Sequence, residues 1–128
     1  MRGALTRSLL VATGGAAGSV LRYAVSDWVQ RVLGSGLPWG TFVVNLSGCF
    51  LMGLLAGAFQ QRFLVSPEVR VLLLVGLLGG YTTFSAFALE TLRLAQGGAF
   101  VAAGINVLGS PLLALAGAWA GDQLSRLI

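Results

Sequence analysis

Hydrogen-bonding side chains without charge stand inside stretches of sequence too apolar for water: Thr41, Asn45, Ser47, Thr82, Thr83, Ser85, Asn106 and Ser110, with Phe84 and Phe87 among them. Amides and hydroxyls supply donors, and aromatic ring edges carry partial positive charge, so the set suits a small anion or solute that sheds its water. Bond-making chemistry is poorly served. The chain has no His and a single Cys, Cys49. No pair of carboxylates lies within the apolar runs, and no phosphate-cradling glycine loop is followed by Lys. Neither a disulfide framework nor a Cys-based metal site is open to one chain, and no enzyme is expected. Proton-coupled exchange is disfavoured too, because little in the core would carry the proton.

The elements that must hold these groups are membrane helices. Of 128 residues, 56% are hydrophobic and 9% charged, against about a quarter charged in soluble domains. All eight basic residues are Arg, and four acids leave a net charge of +4. The arginines sit singly at the margins of apolar runs, where their stems can snorkel toward headgroups, so the expected partner of this charge is lipid and not nucleic acid.

The whole chain, residues 1–128, reads as one four-helix transmembrane domain. The first span, about 5–32, continues through Arg22, which is expected to snorkel, and carries a small-residue pair at Gly14 and Gly18. Its early apolar run superficially resembles a secretory signal, but the rest of the chain would still be membrane after cleavage. A turn at Gly34, Ser35, Gly36 and Pro38 leads to a second span, about 41–60, with Thr41 and Asn45 one turn apart and a second small-residue pair at Gly53 and Gly57. Ser66, Pro67 and Glu68 form a start signal for the third span, about 68–95. The fourth covers about 99–121, where Asn106 and Ser110 lie one turn apart and Pro111 invites a kink.

The third span is expected to be broken at 79–83. Gly79 and Gly80 withdraw side chains at its centre, and Tyr81, Thr82 and Thr83 follow with weak helix propensity. About ten residues precede Gly79, so the break lies roughly 15 Å deep, near the midplane. Freed backbone groups there must be buried, line a wet cavity or coordinate an ion. A kink filled by a neighbouring helix is the plainer alternative. Similarly, Asn45 reads either as an interhelical hydrogen bond or as a donor to an anion, and Phe84 and Phe87 as packing or as a site. Four spans put both termini on one side, with Arg2, Arg7, Arg62, Arg70 and Arg126, against Arg22, Arg31 and Arg93 on the other. So small an excess permits copies in both orientations, hence an antiparallel dimer. So short a chain leaves a dimer interface as the natural place for a pore.

Four blocks of sequence carry a resemblance over essentially the whole length: GGAAGSVLRY at 14–23, WGTFVVNLSG at 39–48, GLLGGYTTFSAF at 76–87 with Glu90 after it, and GS at 109–110. Together they resemble the Fluc fluoride-channel family, also called CrcB. The resemblance implies an all-α, dual-topology antiparallel homodimer in the cytoplasmic (inner) membrane, with two fluoride pores and passive, fluoride-selective export that relieves toxicity. It assigns Asn45, Phe84 and Phe87 to the pore, puts Thr83 and Ser85 near it, and gives Ser110 to a polar track on the fourth helix, with Asn106 one turn away. It also implies a central structural sodium ion held by the backbone carbonyls of Gly79 and Thr82. Ala114, one turn beyond Ser110, lacks the hydroxyl that would continue the track. Two other classes stay open. A small multidrug-type exporter would need a membrane-embedded carboxylate, for which Glu90 is the sole candidate, and a non-transporting assembly subunit would use the glycine pairs purely for packing.

Overall fold

Long runs of Leu, Val, Ala and Gly can satisfy their own backbone groups in lipid only by bonds within the run, which makes each of them a helix. The structure, a computed structural model, describes residues 2–128. Arg2 is described by its backbone alone, so its place in the arginine count lies outside the described side chains. The helices are α1 (Arg2–Leu33), α2 (Trp39–Gln61), α3 (Pro67–Arg70), a π-helical segment (Val71–Leu78), α4 (Gly79–Tyr81), α5 (Phe84–Gln96) and α6 (Phe100–Ser125). Four helical stretches are long and apolar enough to cross a membrane: Gly3–Leu33, Trp39–Gln61, Pro67–Gln96 and Phe100–Ser125. No strand occurs among the described residues, and the protein is an all-α, multi-pass membrane protein.

Turn chemistry joins the helices. Gly34 and Gly98 take positive φ (90° and 81°), which residues with a side chain rarely adopt, just past the ends of α1 and α5. Gln30 ties the first connection together. Its Nε2 donates to the carbonyls of Leu37 (3.0 Å) and Gly34, while its Oε1 accepts from the Gly40 N–H (3.1 Å). Ser66 caps α3 by accepting from the Val69 N–H at 3.3 Å, and Pro67 occupies the first helical position.

Two backbone-close contacts set the arrangement. α1 lies along the π-helical segment and α4, and α2 lies along α6. A Cβ added at Gly18 would stand 2.1 Å from the Leu77 carbonyl oxygen, and one at Gly53 would stand 2.0 Å from that of Ala118. Small residues are what permit such approach, and lipid supplies no hydrophobic force to compensate for its loss.

The third span departs from expectation in where its helix opens. Gly79 to Tyr81 are α-helical, and the Thr82 N–H still reaches the Leu78 carbonyl at 3.1 Å. The extended residues are Thr82 (φ −82°, ψ 155°) and Thr83 (φ −150°, ψ 119°), after which helix resumes at Phe84. The glycine pair serves proximity: a Cβ at Gly80 would meet the Gly15 carbonyl oxygen at 2.6 Å. The helix before the pair is wound as a π-helix, a form frequent at functional positions. Pro111 lies within α6, which continues through it as one helix.

Replacing Gly18 with Ala forces its methyl into the Leu77 carbonyl and is expected to cost about 1–3 kcal/mol by overpacking. Gly3→Ala, which adds a methyl with nothing within 4 Å, is the control. Thermal unfolding in detergent should show a lower midpoint for the first variant alone.

Candidate functional site

The site is built around one amide. Asn45 projects from α2 toward the extended pair between α4 and α5. Its Oδ1 accepts from the Thr83 N–H (2.7 Å) and its Nδ2 donates to the Thr83 carbonyl (2.9 Å). Both backbone groups of a non-helical residue are thereby satisfied by one side chain, as a neighbouring strand would satisfy them. One of the two Nδ2 hydrogens remains. The interhelical reading of Asn45 therefore holds in this chain without using up its donor capacity.

Local bonds then free particular carbonyls. In an unbroken helix the N–H of Thr83 would bond the carbonyl of Gly79, and that of Ala86 would bond Thr82. Here Thr83 gives its N–H to Asn45, and Ala86 gives its N–H to Thr83 Oγ1 (3.2 Å), an N-cap for α5. Arg22 meets a third carbonyl, donating from Nε to Gly80 at 3.1 Å. The expectation that Arg22 snorkels outward is corrected: a cation at the C-terminal end of α4 complements the helix dipole and a carbonyl left without its helical donor.

A groove of about 230 Å³ opens beside this bend. Its wall brings together Asn45, Thr82, Thr83, Phe84, Phe87 and Ser110, with Cys49, Pro111 and Ala114. The two rings lie 5.4 Å apart between centroids, with planes inclined at 41°. Phe84 is 77% exposed, so nothing in this chain covers the groove on that side. Of the residues singled out for a pore, only Ser85 is absent from the wall; its hydroxyl sits 3.3 Å from that of Thr83. Ser47 turns elsewhere, lying 3.0 Å from the Tyr81 hydroxyl in the packing between α2 and α4. Gly79 is not part of the wall either.

A larger cavity of about 830 Å³ lies on the other side of Thr83, which lines both. Arg22, Arg93, Asp27, Glu90 and Thr41 line it, and Asp27 is paired with Arg31. Thr41, 5% exposed, donates to Glu90 Oε1 at 2.7 Å, while Glu90 Oε2 is buried without a partner. Thr41 stood among the polar groups suited to a site and Glu90 was the candidate carboxylate of an exporter, but their pairing and the place of Arg22 beside them were not expected. A signal for them existed in the sequence: Thr41 and Asn45 lie one turn apart on α2, and Glu90 and Thr83, the groups they bond, lie seven residues apart, so two rungs join α2 to the far half of the third span.

Chemically, the larger cavity presents arginines and carboxylates, and the groove across Thr83 from it presents an amide, hydroxyls and two aromatic rings. No group of three or more His, Cys, Asp or Glu able to hold a metal exists among the described residues.

Comparison with known proteins identifies the family. The family model described as "CrcB-like protein, Camphor Resistance (CrcB)" matches residues 9–122. A protein of Rhizobium etli is 46% identical over 124 residues, covering 97% of this chain and 99% of its own. One of Magnetococcus marinus is 50% identical over 118 residues, 92% and 96% of the two chains, and one of Geobacter sulfurreducens is 44% identical over 122 residues, 95% and 98%. All three are named fluoride-specific ion channel FluC. With the match spanning all four membrane helices and nearly the full length of each relative, the chain belongs to the CrcB family.

Proposed function

We propose that this protein is a fluoride-selective channel which exports fluoride passively across the cytoplasmic membrane and so relieves its toxicity. The observation that carries the reading is the groove, where Asn45, Thr83, Phe84, Phe87 and Ser110 converge on a face that the chain leaves open. Fluoride would pass the free Asn45 amide hydrogen and the edges of the two rings. These are neutral donors and partial positive charges, which favour a dehydrated anion without trapping it as a fixed cation would. An open groove does not enclose an ion, and a second copy seated over Phe84 would close it. An antiparallel homodimer built this way holds two such pores, and the small arginine asymmetry is compatible with both orientations. The exposed apolar faces of α1 and α6, with Val20 and Trp119, would meet lipid or that partner.

A central structural sodium ion fits the bend. The carbonyls of Gly79 and Thr82 lack the N–H donors that an unbroken helix would bring them, and oxygens so released are suitable for a hard cation. Two chains would contribute four neutral oxygens, leaving a positive centre between the pores that favours anions in a low-dielectric region.

One feature favours a second reading, a small multidrug-type exporter of cations. Glu90 is a carboxylate within the third span with an unpartnered buried oxygen, the kind of group proton coupling requires. Reconstitution in liposomes separates the readings. Fluoride efflux far above chloride efflux is expected, with Phe84→Ile and Phe87→Ile assembling normally but carrying about tenfold less fluoride, since they keep the bulk and lose the ring edge. Equal chloride flux, or pH-driven cation exchange without fluoride flux, sinks the proposal.

Asn45→Asp is expected to abolish flux. At about 4 Å and an effective dielectric near 20, repulsion of an anion by an ionised carboxylate is about 4 kcal/mol, roughly a thousandfold in occupancy. The same change removes the donor to the Thr83 carbonyl. Normal conduction by this variant would place the ion away from Asn45.

For sodium, the ligands are backbone atoms, so Thr82→Ser should conduct near the parent's level while Gly79→Val should not. Replacing sodium by a large organic cation on both sides of the membrane is expected to lower fluoride flux. Flux indifferent to sodium would defeat the cation site and leave the channel standing.

A further inference from the structure

Behind the groove wall runs a chain of hydrogen bonds that the pathway described so far does not use. Asn106, 5% exposed on α6, donates from Nδ2 to Thr91 Oγ1 (2.8 Å) and accepts at Oδ1 from the Ser110 hydroxyl (2.7 Å). Thr91 in turn donates its hydroxyl to the Phe87 carbonyl at 2.7 Å. The direction of the chain follows from its far end. A hydroxyl has one proton, and Phe87 takes that of Thr91, so Thr91 can only accept from Asn106. The amide must then turn Nδ2 to Thr91 and Oδ1 to Ser110. As a result Ser110, a member of the groove wall, directs its proton into the protein and its lone pairs outward.

An anion in the groove needs the opposite orientation, and Asn is suited to permit it. If the amide reverses, Nδ2 donates to Ser110 Oγ and Oδ1 accepts the Thr91 proton. The Phe87 carbonyl keeps its place in the helical ladder of α5, and Ser110 is released to donate into the groove. Every buried polar group is satisfied in both arrangements, so neither incurs the desolvation cost of an orphaned donor or acceptor. Asn106 itself is not part of the groove wall, and anything it does to an ion it does through Ser110.

We propose that Asn106 is a positioning residue which, through the Ser110–Asn106–Thr91–Phe87 chain, sets whether the Ser110 hydroxyl donates to the anion in the groove. The inference rests on the fluoride-channel reading and specifies how one wall of that pore is tuned.

The test is fluoride efflux from liposomes as a function of fluoride concentration, for the parent, Asn106→Leu, Ser110→Ala, the double variant and Thr91→Val. Losing the amide should raise the half-saturating fluoride concentration about tenfold, the scale of one or two net hydrogen bonds. Ser110→Ala should add nothing further in the Asn106→Leu background, because the two act as a unit. Thr91→Val touches neither Ser110 nor the groove and keeps the side-chain volume, so it guards against a misfolded Asn106→Leu; a smaller shift in the same direction, about threefold, is expected. A merely structural chain would lower the yield of assembled protein and leave half-saturation unmoved in Asn106→Leu and Thr91→Val, which overturns the inference. So does an effect of the double variant equal to the product of the singles. A parent silent to fluoride removes the channel reading and this inference with it, whereas a conducting parent with an unchanged Asn106→Leu removes the inference alone.

Discussion

An extended residue in the middle of a membrane span exists only because something replaces its helical hydrogen bonds. Asn45 does so for Thr83, meeting N–H and C=O with the two ends of one amide. Without that pair, a backbone donor and acceptor would stand unpaired at a depth where each such group costs several kcal/mol. With it, the chain can stop being helical for two residues and begin again as α5 with Phe84 at its first turn. The position of the two rings, the release of the Gly79 and Thr82 carbonyls and the separation of the two cavities all follow from this bond pair.

The rest of the packing keeps the amide in reach. α2 is held against α6 by glycine contacts close to van der Waals limits, and α1 is held in the same way against the π-helical segment. Each contact fixes a backbone, so Asn45 on one pair and Thr83 on the other meet with little freedom. Arg22 adds a second tie, linking α1 to the Gly80 carbonyl in the last helical turn before the bend. Thr41 and Glu90 add a third, two turns along α5. These ties are polar and the surfaces around them apolar. In lipid, where apolar contact provides little net attraction between helices, such an arrangement locates a bend more firmly than more leucine would.

The groove itself contains no full charge. Charged side chains of both signs, Arg22, Arg93, Asp27 and Glu90, line the larger cavity, whereas the wall near Phe84 holds an amide, hydroxyls and rings.

The sequence by itself determined the class of the protein, because uncharged runs of this length have only the helix available to them in a membrane, and it determined which small residues would permit close approach. It also displayed Asn45, Thr83, Phe84, Phe87 and Ser110 among the neutral polar and aromatic groups conspicuous against Leu and Val, while only the family resemblance separated a pore role from packing. Three matters were decided by tertiary structure alone. The glycine pair looked like the point of rupture, yet it remains helical, because its small size is spent on contact with α1 while the amide of α2, distant in sequence, rewards extension two residues later. Arg22 looked like a snorkelling anchor, but a carbonyl freed in another helix draws it inward. Asn106 and Ser110, one turn apart on one helix, were legible as neighbours, but nothing marked the bond from Asn106 to Thr91, since a hydrogen bond between helices depends on their rotation and separation, and neither quantity is written in the periodicity of one helix.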